Sequence, residues 1–129
     1  MAQKNKKILI IEDEFLIGEL YVRSLNKEGY VSELVIDVAE ALKKAQTNEY
    51  DIILLDLMLP NLDGVEILKT LKNPSLTPGF KAKIIITTNI EERKDIKKAI
   101  EKEADGYVIK ADITPSELVT LVNSVNDGQ

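Results

Sequence analysis

Four short apolar runs at residues 8–11, 52–55, 84–86 and 107–109 recur along the chain, rich in β-branched side chains and bounded by charge or glycine. Each is too short for a helix and too continuous for a strand with one wet face, so each reads as a strand buried on both faces. A fifth run, 31–36, mixes Ser32 and Glu33 with its apolar residues and reads as an edge strand with one face partly wet.

Helical patterns fill the gaps. Ile17, Leu20, Tyr21 and Leu25 follow one face of a helix, and Gly29 stands where it would end. Asp37 followed by Glu40 starts a second helix that turns Ala41, Leu42 and Ala45 inward. A third covers about 65–72, anchored by Leu68 and Leu71, before a loop at 73–81 that holds Pro74, Pro78 and Gly79. A fourth, at 91–102, has only Ile96, Ala99 and Ile100 to bury and is expected to be the most loosely held. Thr114, Pro115 and Glu117 supply N-cap, N1 and N3 of a fifth, with Leu118, Leu121, Val122 and Val125 as its apolar stripe.

Strand then helix, five times over, predicts an α/β fold: a doubly wound parallel sheet with right-handed crossovers and helices on both faces. At 129 residues, without a linker or an internal repeat, the expectation is one domain over 1–129. Ligands in such sheets gather beyond the carboxyl ends of the strands. There stand Glu12 and Asp13 after the first strand, Asp56 at the end of the third, Thr88 after the fourth and Lys110 after the fifth.

Composition narrows the chemistry. Hydrophobic residues at 44% and charged residues at 30% exclude a disordered chain. A net charge of -5 argues against a direct nucleic-acid partner. The N-terminus reads as neither a signal peptide nor a membrane span, and the absence of cysteine makes the cytoplasm the expected location. With no histidine and no cysteine, any chemistry must run on carboxylates, hydroxyls and amines.

Three carboxylates gathered in one crevice repel each other unless a cation compensates, and an all-oxygen set suits a hard ion such as Mg²⁺. A carboxylate beside such an ion can attack a phosphoryl group while a lysine and a hydroxyl neutralise the equatorial oxygens. Each feature also has an ordinary reading. Glu12-Asp13 alone is a polar strand end, Asp56 alone a turn cap, Lys110 alone a surface lysine, and Thr87 and Thr88 alone strand residues.

Four segments in order tip that balance: Ile8-Leu9-Ile10-Ile11-Glu12-Asp13, Asp56-Leu57-Met58-Leu59-Pro60-Asn61-Leu62-Asp63-Gly64, Ile84-Ile85-Ile86-Thr87-Thr88 and Asp105-Gly106-Tyr107-Val108-Ile109-Lys110. Together they resemble the CheY-like receiver domain of two-component signalling, from about Lys6 to Val125. The resemblance implies a flavodoxin-like sheet of order 2-1-3-4-5 with five helices.

It also implies that Asp56 accepts a phosphoryl group from a phosphohistidine of a histidine kinase or histidine phosphotransfer protein. Asp13, the Met58 backbone carbonyl, Asp56 and, through water, Glu12 would hold Mg²⁺. Lys110 would hold a phosphoryl oxygen, and Thr88 rather than Thr87 would swing toward the phosphoryl group, with Tyr107 as the switch aromatic. The expected output is altered binding of a downstream effector protein by the face of the fourth helix, fifth strand and fifth helix. Such a protein is a switch that catalyses its own phosphorylation and dephosphorylation rather than an enzyme of turnover. If Gln129 ends the full chain, the effector is a separate protein.

Three positions depart from the family pattern. Asn89 stands where Ala or Gly is usual, Ala111 replaces a common proline after Lys110, and Glu103 replaces a usual glycine. Met58 and Ile90 flank the phosphorylation site in the family, and two apolar side chains there predict a long-lived phosphoryl group.

Rival functions fit less well. A flavodoxin-like cofactor binder needs a hydroxyl- and glycine-rich loop where this chain has Glu12-Asp13-Glu14, which repels phosphate. The P-loop motif is missing, and a two-aspartate phosphatase needs a second acid two residues after Asp56, where Met58 stands. A degenerate receiver used only for interaction remains open because of Asn89 and Ala111.

Overall fold

The computed structural model describes residues 6–57, 64–75, 79–88, 98, 102–110 and 113–127. Five strands, β1 (Lys7–Ile11), β2 (Val31–Val35), β3 (Ile52–Asp56), β4 (Lys83–Thr88) and β5 (Gly106–Ile109), form one parallel sheet of order β2-β1-β3-β4-β5. That is the order implied by the resemblance. The four helices among the described residues are α1 (Phe15–Lys27), α2 (Val38–Ala45), α3 (Gly64–Lys72) and a C-terminal helix (Pro115–Asn126). Most of the expected fourth helix lies outside the described residues; Lys98, Lys102 and Glu103 within and beside it are helical.

Alternation along the strands divides the interior into two layers. Leu9, Ile11, Ile53, Leu55, Ile84 and Ile86 face α2 and α3, meeting Ala41, Ala45, Ile67, Leu68 and Leu71. Ile8, Ile10, Ile52, Leu54 and Ile85 face α1 and the C-terminal helix, meeting Tyr21, Leu25, Leu118, Val122 and Val125. Burial on both faces explains why β1, β3 and β4 are nearly continuous aliphatic runs.

β2 is the edge strand its mixed composition predicted. β5 corrects the sequence reading, which took 107–109 as buried on both faces: it is the opposite edge, and of its four residues only Val108 is buried.

The helix ends follow their sequence signals. After α1, Gly29 takes φ +101, its N–H donates to the Asn26 carbonyl at 3.1 Å, and the Tyr30 N–H reaches the Leu25 carbonyl at 3.2 Å. This is a Schellman closure, which needs a residue at ease with positive φ. Asp37 accepts from the Glu40 N–H at 2.9 Å. Thr114 and Glu117 form a full capping box at 3.1 and 2.8 Å, with Pro115 next in the chain. At Gly106 a Cβ would lie 3.2 Å from Ile85 Cγ1 and 3.3 Å from Val125 Cγ2, so glycine there lets the C-terminal helix approach β5 closely.

Candidate functional site

Parallel strands bring their carboxyl ends to one edge, and the acidic residues meet there. Asp56 closes β3 opposite Thr87 of β4, and the ladder continues one step further with the Leu57 N–H donating to the Thr87 carbonyl at 3.0 Å. Glu12 directly follows β1, held by its own N–H on the Val35 carbonyl of β2 at 3.3 Å. Glu12 and Asp56 are each 1% exposed, and Asp13 is half-buried beside them.

Lys110, just past β5, reaches back across the sheet edge to join them. Its Nζ lies 2.7 Å from Glu12 Oε1 and donates hydrogen bonds to Glu12 Oε2 at 2.9 Å and Asp56 Oδ2 at 3.0 Å. It also meets Glu14 Oε1 at 3.3 Å. The Lys110 side chain is 4% exposed, so this is a buried ion network in a low-dielectric crevice.

The electrostatics follow from burial and crowding. Desolvation, with the Asp56 charge adding to it, pushes the Glu12 carboxyl up to about 7 from its usual 4.5, against the lowering effect of its Lys110 and Glu14 hydrogen bonds. Desolvation and then the adjacent Asp56 raise Asp13 as well. Burial disfavours the charged form of Lys110, but its bonds to Glu12 and Asp56 outweigh that and hold its pKa above the ordinary lysine range. Lys110 is therefore a fixed cation at neutral pH.

One oxygen from each of Glu12, Asp13 and Asp56 can be chosen so that all lie within 4.8 Å of one another. Glu12 Oε1 is buried and, although Lys110 lies close, receives no hydrogen bond. An all-oxygen set with surplus negative charge fits a hard divalent cation. The chain has no cysteine or histidine to supply a thiolate or an imidazole to a softer metal.

Thr87 and Thr88 are both buried, at 2% and 1% exposure. Alternation separates them: Thr88 shares its face with Ile84 and Ile86, whereas Thr87 shares the opposite face with Ile85. Tyr107 is partly buried against the first of these layers and is paired in register with Ile86, next to Thr88. Thr88 and Tyr107 thus lie on one face of neighbouring strands. Met58, Pro60, Asn89, Ile90 and Ala111 lie outside the described residues.

In the sequence Glu14 counted only as the third acid of the loop after the first strand, and it was given no role in the site. Its available signal was its type, because glutamate is not a favoured N-cap, and α1 begins with Glu14 in the N-cap place.

A doubly wound sheet with an acid-lined, lysine-bridged crevice at its switch edge defines a class of parallel α/β domains. Residues 8–123 match the family model described as the response regulator receiver domain, and the chain belongs to that family. Among curated proteins it is 38% identical over 121 residues to the alkaline phosphatase synthesis transcriptional regulatory protein PhoP of Bacillus subtilis, covering 94% of this chain and 48% of that one. It is also 38% identical over 104 residues to the response regulator ArlR of Staphylococcus saprophyticus, covering 81% and 45%. The chain thus spans about half the length of these relatives.

Among solved structures, the Francisella response regulator 1452 receiver domain superposes with a TM-score of 0.81 at 27% identity, covering 95% of this chain and 98% of that one. A CheY-like receiver domain protein from Methanospirillum hungatei gives 0.81 at 28% identity, covering 96% and 95%.

Proposed function

We propose that this chain is a phosphoacceptor switch in which Asp56 takes a phosphoryl group from a phosphohistidine of a histidine kinase or phosphotransfer protein. The observation that carries the reading is a buried Asp56 carboxylate held 3.0 Å from the Lys110 ammonium inside a three-carboxylate cluster. A structural salt bridge needs one acid. Gathering three around one lysine costs stability, which a role in binding a cation and a phosphoryl group explains.

An Asp56 oxygen attacks phosphorus and forms an acyl phosphate as the bond from phosphorus to the histidine nitrogen breaks; the imidazole leaves with the electron pair. Lys110 then exchanges its Asp56 contact for a phosphoryl oxygen, and Thr88 turns its hydroxyl to another. Glu12, Asp13, Asp56 and the Met58 carbonyl would hold Mg²⁺, which supplies charge neutralisation for the phosphoryl oxygens. Movement of Thr88 frees space for Tyr107 on the same face, changing the surface of β5 and the C-terminal helix that meets the effector protein. Hydrolysis at the same residues resets the switch, so the chain assists its own phosphorylation and dephosphorylation without turning over a substrate as an enzyme does. Among the described residues no helix is long and apolar enough to cross a membrane.

Incubation with acetyl phosphate and Mg²⁺, read by intact mass, tests the reading. A phosphate-sized gain in wild type that disappears in Asp56→Ala and in EDTA is expected. An equal gain in Asp56→Ala would remove Asp56 from the role.

A further inference from the structure

Glu14 occupies the N-cap place of α1, yet its side chain makes no capping hydrogen bond to the helix. Its backbone N–H donates to Glu12 Oε2 at 3.0 Å, which fixes the turn, and its carboxylate lies 3.3 Å from Lys110 Nζ. Glu12 and Asp56 are sealed, whereas the Glu14 side chain is 49% exposed. Glu14 therefore places a fourth carboxylate at the solvent side of the ammonium that is to receive the phosphoryl group.

We infer that Glu14 is a specificity-determining residue that selects phosphodonors by charge, disfavouring small free dianions and favouring donors that bring positive charge with their phosphoryl group. The inference rests on the phosphoacceptor reading above. Of the three carboxylates in contact with Lys110, Glu14 alone is open to solvent, so a donor's charge meets its carboxylate across a partly solvated gap. The repulsion scales with donor charge and weakens with salt. A phosphohistidine on a basic protein surface escapes it; a free acyl phosphate does not. Glu14 also competes with the incoming phosphoryl oxygens for Lys110, but that competition is the same for every donor, so comparing donors isolates the charge effect.

The test measures pseudo-first-order phosphorylation of the whole chain in Mg²⁺ with two small donors: acetyl phosphate, a dianion at neutral pH, and phosphoramidate, whose ammonium nitrogen leaves it a monoanion. Glu14→Gln is expected to speed the acetyl phosphate reaction by about three- to tenfold, and the phosphoramidate reaction by roughly the square root of that factor. Glu14→Lys should widen the gap, Glu14→Asp should keep the wild-type ratio, and high salt should shrink the differences. Equal factors for both donors, or a ratio unmoved in both Glu14→Gln and Glu14→Lys, would overturn the inference while leaving the phosphoacceptor reading intact. Failure of both donors to modify Asp56 in the wild type would instead overturn the reading on which it rests.

Discussion

Asp56 Oδ2 and Lys110 Nζ lie 3.0 Å apart, although β4 separates the strands that carry them and both side chains are almost fully shielded from solvent. The contact joins the centre of the sheet to its edge, and it places the chain's one deeply buried ammonium among the described residues against its acidic cluster.

Removing that ammonium leaves Glu12 and Asp56 buried without their cation. Lys110→Met preserves the aliphatic stem and deletes the charge, and should destabilise the metal-free protein by about 3 kcal/mol. Urea denaturation in EDTA checks this, and Mg²⁺ should restore part of the loss. A loss under about 1 kcal/mol would mean that the crevice is wetter than its burial indicates.

The opposite change is expected to stabilise. Asp56→Asn removes one of the carboxylates that raise Glu12 and Asp13, while Lys110 keeps its bonds to Glu12. The urea midpoint in EDTA at neutral pH should rise, corresponding to about 1 kcal/mol. A fall of that size would show that the Asp56 to Lys110 pair outweighs the repulsion.

The pH dependence follows from Glu12. Its folded pKa of about 7 lies above the usual 4.5, so between those values the folded state binds more protons than the unfolded one. Stability of the metal-free protein is therefore lost as pH rises from about 4.5 through 7, by on the order of 2 kcal/mol, and the raised Asp13 adds in the same sense. Glu33, lowered by its bonds to Lys44 and Tyr50, acts oppositely and only as pH falls through the carboxylate range. Saturating Mg²⁺ should flatten or reverse the slope, because a bound cation competes with those protons. Denaturation at pH 5 and pH 7.5, with EDTA and with Mg²⁺, reads both effects; a metal-free protein more stable at pH 7.5 would contradict them.

Thr114→Ala breaks the capping box of the C-terminal helix and should cost about 1 kcal/mol. Because that helix packs on α1, β4 and β5 through Leu118, Val122 and Val125 rather than on the acidic crevice, Mg²⁺ affinity should stay within about twofold, measured by titration. A large loss of affinity would link the helix to the site.

The sequence showed what depends on local pattern and missed what depends on neighbours. Strands β1, β3 and β4 were legible because double burial makes their middles continuous aliphatic runs, and the ends of α1 and the C-terminal helix because Gly29 and the Thr114 to Glu117 pair act locally. The edge position of β5 was not, since Tyr107, Val108 and Ile109 have the composition of an interior strand and only the order of strands leaves one side open. Glu12, Asp13 and Asp56 could be placed together from strand ends alone, whereas the burial of Lys110 depends on partners 54 and 98 residues away. Glu14 was legible as one of three loop acids but not as a site residue, because its partner is Lys110, 96 residues distant, rather than the helix it precedes.

The most direct test of the account is reductive trapping. An aspartyl phosphate is an acyl phosphate and is reduced by borohydride to a homoserine residue, whereas an unmodified aspartate is not. After treatment with acetyl phosphate and Mg²⁺, peptide sequencing should find homoserine at position 56 and aspartate at position 13. Homoserine at position 13, or aspartate retained at both positions in protein whose mass shows the added phosphate, would contradict the assignment of Asp56 as the phosphoacceptor.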